Sequence, residues 1–302
     1  VENVHQLNAE GATIPFMARY RKEATGNLDE VQINDIVEKI KYFDELNKRK
    51  ETVLKTIEAA GKLTPELKNR IENSFEATEV EDIYLPFKPK RKTRATTAIE
   101  KGLEALAKLI FEQGNEDPST EAAKYLNDQV TTAQDALQGA RDIIAEWIAE
   151  NEQARATARN LFSKTAVVTS KVLKSKKETD EAQKYRDYFE FSESLSACPS
   201  HRMLAIRRGE KEGFLLMDIT IDEQVAKDDL KGIFIKKKND SSAQVAEAID
   251  DSYGRLLKPS IENEFRLLAK NSADEEAIRV FAENLRQLLL ASPLGSKKVM
   301  AT

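Results

Sequence analysis

Apolar residues recur at Ile33, Ile36, Val37, Ile40, Phe43, Leu46, Val53, Leu54 and Ile57. Steps of three and four put them on one side of a helix. Asp29 stands ahead of the run as an N-cap, Gln32 completes a capping box, and Gly61 supplies a stop. A helix of roughly thirty residues would be about 45 Å long. That length suits coiled-coil-like packing against another long helix, the preferred reading, or a lone helix crossing a bundle. Short helices follow. Thr64-Pro65-Glu66 is a helix start with Pro at N1, and Thr78 with Glu81 reads as a second capping box whose helix ends before Pro86. Residues Thr97 to Phe111 form the next predicted helix, with Ile99, Leu103, Leu106, Leu109 and Ile110 on its apolar side. Pro118-Ser119 marks a turn, and helices are expected over 133–150 and about 152–164.

After residue 185 the pattern changes. Met203–Arg207 is apolar, and Phe214–Ile221 alternates, with Leu215, Met217, Ile219 and Ile221 on one side of a strand. The intervening Gly209-Glu210-Lys211-Glu212-Gly213 then reads as a hairpin turn, and Ile233-Phe234-Ile235 as a third strand. Helices resume at about 243, 260 and 272, the last opened by a Ser272/Glu275 capping box. Ile278, Phe281, Leu285 and Leu288 make its apolar stripe, and Pro293-Leu294-Gly295 its stop. Lys297–Met300 looks like the start of a strand. The fold class is therefore mainly α: a multi-helix elongated domain with a helix-turn-helix-like segment and a small β-hairpin unit near residues 203–235.

Composition supports long helices with short connections, because only 11 Gly and 8 Pro occur in 302 residues. The net charge of -5 matters more. A domain that grips nucleic acid through its bulk charge is usually basic, so any such contact here must come from a local patch. One Cys precludes an intrachain disulfide. No apolar run is long enough to span a bilayer and no signal-peptide core is present, so a cytoplasmic location without membrane partners is expected. The chain opens Val1-Glu2-Asn3 rather than with Met, as expected if residues upstream have been removed.

The best local patch is Lys88, Lys90, Arg91, Lys92 and Arg94, five cations in seven residues, stiffened by Pro86 and Pro89. Such a segment can neutralise several phosphates; equally, it can be a solvated loop or dock on the chain's own 52 acidic residues. Arg19 and Lys22, three apart, are expected to share a helical face, and either touch phosphate or pair with acidic neighbours. Residues 64–86 hold two short helices around a turn, but Glu79, Glu81 and Asp82 on the second would be repelled by a phosphate backbone, so this element reads as structural. Cys198 and His201 are too few for a metal site with only one other His, His5, in the chain, and a turn is expected there. Gly209–Gly213 lacks the Lys-Ser/Thr of a phosphate loop. Tyr185, Tyr188 and Phe189 suit core packing better than base stacking. No catalytic residue, metal ligand, cofactor or small-molecule substrate is expected.

Several stretches carry a family likeness. They are Thr13–Glu23 with Thr25–Gln32, Asp82–Thr96, Tyr185–Phe189, Pro199–Arg202, Arg208–Glu210, Asp274–Arg286 and Pro293–Gly295. In order and over nearly the whole chain, this series resembles the N-terminal region of Tex-like transcription accessory proteins, which are related to a histone-chaperoning eukaryotic elongation factor. The resemblance implies a helix-turn-helix element near residues 64–86. It also implies an RNase H-like domain, helix-hairpin-helix motifs and an S1-type domain beyond this chain, with nucleic-acid binding mainly in that later half. On this reading residues 1–62 are a long-helix part of the scaffold and 63–130 a helix-turn-helix-like segment with the basic loop. Residues 131–295 are a helical scaffold with the β unit, and 296–302 start the RNase H-like domain. The expected function is a non-catalytic scaffold with weak RNA or DNA contact through the basic loop; the alternative is a protein-docking module for the transcription machinery.

Overall fold

The computed structural model describes residues 1–292 and Gly295; the expected stop at Pro293-Leu294 and strand at 297–300 lie outside the described residues. The chain divides into two compact units, Val1–Arg91 and the part from Lys92 onward.

The first unit strings α1 (Glu2–Ala9), α2 (Ile14–Tyr20) and α3 (Lys22–Thr25) ahead of α4 (Glu30–Ala59), then adds α5 (Pro65–Asn73) and α6 (Ala77–Tyr84). The Asp29/Gln32 capping box forms, and α4 runs thirty residues as its spacing requires. Within its own unit it packs on short helices. Its first half closes a small core of Val4, Met17, Ala18 and Ile33 against α1 and α2. Its second half closes a separate one, where Leu46, Val53 and Ile57 meet Ile71, Val80 and Ile83. The second expected capping box is absent. Glu76 occupies the N-cap of α6 without a side-chain bond, and the Ser74 hydroxyl instead reaches Glu79 at 2.6 Å.

The second unit begins with α7 (Arg94–Glu100), α8 (Glu104–Glu112) and α9 (Pro118–Ala122), then α10 (Ala133–Glu150) and α11 (Glu152–Thr165). The predicted helix over 97–111 is two, because Gly102 takes a left-handed φ of 83° between them. The predicted turn at Pro118 is a short helix with Pro at N1, capped by Asp117. Helix α10 is the hub. Ala136, Ala140, Ile143, Ile144 and Ile148 are all buried on it, and α7, α8 and a later helix pack around.

The β unit is real, but it lies elsewhere than expected. It is a three-stranded antiparallel sheet of order β2–β1–β3, built from β1 (Val167–Val172), β2 (Glu190–Ser194) and β3 (Leu215–Thr220). Central β1 pairs Val167 with Ser194 on one side and Thr220 on the other. The alternation in β3 holds, with Leu215, Met217 and Ile219 buried. Met203–Arg207, expected as its hairpin partner, belongs instead to a helix over Ser200–Lys211 (α13, after a short α12 at Asp180–Gln183). Met203, Ile206 and Gly209 step by three into the core, and the turn is made later, at Gly213 with φ 76°. Gly209 lies inside α13 because Leu215 crosses it: an added Cβ would lie 2.6 Å from Leu215 Cδ1.

Ile233–Ile235 is not a strand either. It ends α14 (Glu223–Phe234), where Phe234 is buried and its ring lies 6.0 Å from that of Phe111. Helix α15 (Asp240–Ser252), a π-helical turn at Tyr253–Leu257 and α16 (Lys258–Leu289) follow as one helical run. Pro259 has no N–H and its ring excludes the usual α-helical carbonyl, which the widened turn before it accommodates. Position 272 therefore lies within a helix, and the expected Ser272/Glu275 cap does not exist.

Gln113 ties this unit together. It is wholly buried in a left-handed backbone conformation, φ 54°, at the end of α8. Its Nε2 donates to Phe234 O at 2.8 Å, and its Oε1 accepts from Lys236 N at 2.9 Å and Ser242 Oγ at 3.0 Å. Asn239, the N-cap of α15, donates to Gln113 O at 3.1 Å. Replacing Gln113 with Leu removes the side-chain partner of Phe234 O and Lys236 N, while Ser242 keeps its bond to Asn239 Oδ1 at 2.8 Å; we expect a loss of roughly 2–4 kcal/mol, measured by urea unfolding.

Candidate nucleic-acid interface

Lys88, Lys90, Arg91, Lys92 and Arg94 are all exposed, along the connection from the 3-10 turn Leu85–Phe87 to α7. Lys88, Lys90 and Arg91 belong to the first unit, Lys92 and Arg94 to the second. Thr93 fixes the start of α7: its hydroxyl accepts from Thr96 N at 3.0 Å, and its own N–H donates to Thr96 Oγ1 at 2.7 Å. Arg94 is the first residue of that helix. Lys92 Nζ lies 3.9 Å from Glu100, with both groups mostly solvated, so this contact contributes little.

Arg19 and Lys22 do not share a helix. Arg21, with ψ 32°, breaks the chain between α2 and α3. Arg19 lies 3.4 Å from Glu30, and the Arg21 guanidinium sits 5.8 Å from the Phe16 ring.

The carboxylates of α6 are used inside the first unit. Arg49 makes a two-pronged pair with Glu81, and this hydrogen bonding holds the guanidinium still more firmly charged. Asp82 is buried, and Glu79 takes the Ser74 hydroxyl. The Tyr42 hydroxyl clips the turn ahead of α6, donating to Phe75 O and accepting from Ala77 N, each at 3.1 Å.

Cys198 is half-buried, and burial pushes its thiol pKa up, away from nucleophilic use. Among the described residues no group of three or more His, Cys, Asp or Glu is placed to hold a metal. Tyr185 is buried with its ring 6.0 Å from that of Phe214, and Tyr188 packs against Phe191. Among the described residues no helix is long and apolar enough to cross a membrane.

The structure adds residues that the sequence reading did not single out. A cleft of about 600 Å³ opens between α7 and α10. One wall carries Lys92, Arg94 and Lys101, the other Asp135, Gln138 and Asp142. Arg94, Thr97 and Lys101 are spaced by three and four, as are Asp135, Gln138 and Asp142, so each set forms a stripe on its own helix. That periodicity was present in the sequence; which stripes would face each other was not. Gly139 brings the two walls together, because an added Cβ would lie 2.3 Å from Leu103 Cδ1 and 3.3 Å from Ala98 Cβ.

Residues 1–58 match the family model described as Tex-like protein N-terminal domain, and residues 113–281 match the one described as Tex central region-like. The uncharacterized protein YdcI of Bacillus subtilis is 43% identical over 304 residues, covering 99% of this chain and 42% of that protein. The transcriptional accessory protein Tex of Neisseria gonorrhoeae is 39% identical, over 96% of this chain and 39% of its own length. The human S1 RNA-binding domain-containing protein 1 is 28% identical, over 99% of this chain and 31% of its own. The chain thus spans about two-fifths of the bacterial relatives it matches.

Replacing Gly139 with Ala should force α7 and α10 apart or displace Leu103. We expect a cost of about 1–3 kcal/mol, read as a lowered thermal midpoint, with the helical circular dichroism of the native state retained.

Proposed function

The chain belongs to the Tex-like family of transcription accessory proteins, and on that premise we propose that it is a non-catalytic scaffold making weak, sequence-independent contacts to nucleic acid through its basic loop. One observation carries the proposal: five exposed cations fall within seven residues of a chain whose net charge is -5. Evenly spread charge would not have gathered them, and a solvated cationic segment binds phosphate by releasing counterions. One relative is named for an S1 RNA-binding domain, which supports RNA as the ligand class of the whole protein. The α5–α6 pair takes no part in this contact, since Glu79 and Glu81 on the second helix are bound within their own unit.

Scaffolding of the remaining domains is the second half of the proposal. Beyond Ala273 the apolar stripe of α16 has no cover among the described residues: Ile278 and Phe281 are each 68% exposed, and Leu288 74%. A long helix with a bare apolar stripe offers a seat for another domain or a partner. The same stripe favours the second reading, docking of a transcription protein without nucleic-acid contact. Capture of such a partner that persists after nuclease treatment supports docking, whereas nuclease-sensitive capture supports the loop.

The loop is tested by fluorescence anisotropy with labelled single-stranded RNA over a series of salt concentrations. Replacing Lys88, Lys90, Arg91, Lys92 and Arg94 with Ala should abolish most binding and flatten the log–log salt slope by about 2–3, at roughly 0.7 per lost phosphate contact. An unchanged slope removes the loop from the function.

A further inference from the structure

We propose that the outer edge of β2, with the apolar groove at its end, takes up an extended segment of a partner protein as a fourth strand, one whose apolar side chains alternate with lysine or arginine. The site lies wholly in the second unit and does not involve the basic loop.

The sheet has two edges, and the fold closes one of them. Val172 N donates to Phe189 O, and Leu195 N to Ala166 O, at the two ends of the β1–β2 pair. The antiparallel register between them turns the N–H and C=O groups of Phe191 and Glu193 to β1, and those of Glu190, Ser192 and Ser194 outward. Ser194 O is taken by Ala197 N in the turn that follows. The outward groups of Glu190 and Ser192 have no strand beyond them among the described residues. The opposite edge differs: the outward carbonyl of Met217 on β3 accepts from Arg266, which Glu210 holds in place. An open row of this kind is a template for another strand, and proteins that keep it empty place lysine, proline or a bulge there. Strand β2 has no lysine and no proline, and its register is unbroken. Its guards are two carboxylates, which turn away acidic strands and draw basic ones.

The groove supplies the apolar half of the recognition. Leu195 continues the inner face of β2, in step with Phe191 and Glu193, and lines a groove of about 370 Å³ with Cys198, Met203 of α13, and Phe265 and Leu268 of α16. Leu268 is 54% exposed, so a side chain entering the groove covers apolar surface that water now touches. A strand laid along β2 sends alternate side chains to that inner face, and the one level with Leu195 enters the groove. The charges set the other positions. Glu193 is held by Arg202 at 3.0 Å, whereas Glu190 is exposed on the edge. Glu276 is the one charged side chain lining the groove among the described residues, and it meets only Arg279, at 4.0 Å and in solvent. Cations set between the apolar residues match both carboxylates. Main-chain bonding then gives affinity, and the groove gives selectivity.

The probe is a labelled octapeptide of alternating leucine and lysine, with binding followed by anisotropy. On binding, amide exchange resolved to single residues should slow at Glu190 and Ser192, and stay as it was at Phe191 and Glu193. The reaction of Cys198, the chain's only thiol, with an aromatic disulfide reagent should slow as well. Ser192→Pro removes an outward N–H and no bond to β1, and should weaken the peptide roughly tenfold. Ser272→Trp fills the groove and should weaken it by about as much. Glu190→Lys should weaken it roughly fivefold and improve binding of the glutamate–leucine counterpart. Replacing the five cations of the basic loop with Ala should change none of this. Thermal melts followed by circular dichroism confirm that each variant is folded; if Ser192→Pro is not, Glu190→Lys, which touches no main-chain bond, and the exchange pattern decide. Binding that leaves exchange at Glu190 and Ser192 unchanged overturns the added strand. So does tighter binding by a peptide of the same composition with its leucines at helical spacing. Equal affinity for the glutamate–leucine peptide overturns the match of charge, and failure of the probe to bind overturns the site.

Discussion

At position 139 a side chain of even one carbon would run into Leu103, and the close crossing of α7 and α10 depends on its absence. Glycine there lets α7 and the α7–α8 turn lie directly on α10, with Ala98, Ala136 and Ala140 keeping the surrounding surface thin. Close backbone approach maximises the dispersion contacts that each helix gains from the hub. It also sets where the helices diverge, and divergence above a tight crossing is what makes a cleft. The polar stripes on either side are ordinary solvated helix faces until the crossing turns them towards one another.

Charge is handled differently in the two parts of the molecule. Where helices meet, arginines are matched with carboxylates: Arg49 with Glu81, Arg159 with Glu264 at 2.7 Å, Arg141 with Glu247 at 2.6 Å. Arg49 grips its carboxylate with two nitrogens, and all three pairs join helices far apart in sequence. The lysines at 236–238 remain exposed, while the backbone of Lys236 is held by the buried amide of Gln113. An acidic chain thus spends many of its carboxylates internally, and leaves short cationic segments facing solvent.

What was legible in the sequence was the strong periodicity. The long helix at 30–59 and its capping box, the helices over 133–150 and 152–165, and the strand at 215–220 all follow from spacing that tertiary structure did not override. Short apolar runs were the failures. Met203–Arg207 has five residues that suit either period, and the helix prevails because Gly209 must meet Leu215. Strand β2 is an edge of alternating polar residues, Glu190-Phe191-Ser192-Glu193-Ser194, and carries almost no apolar signal. Strand β1 does have a β-branched run at Val167-Val168-Thr169, but its pairing with Glu190–Ser194 and with Leu215–Thr220, both far along the chain, could not be read locally. The basic loop was plain as charge. Its continuation into a cleft was not, because Lys101, Asp135 and Asp142 become neighbours only through the fold.

Helix α16 buries Ile261 and Ala273 and, after that, no residue among those described. Its distal half is sustained by main-chain bonding and a few pairs such as Lys270 with Asp274. A stretch of that length is only marginally helical by itself in water. The helix should therefore be graded in amide exchange, slow where it lies on the sheet and α13, progressively faster beyond Ala273. Whatever covers those leucines would also pay the ordering entropy of the segment they stand on, so rigidity at this end of the molecule is acquired on association, and the reach of the rod depends on what it carries.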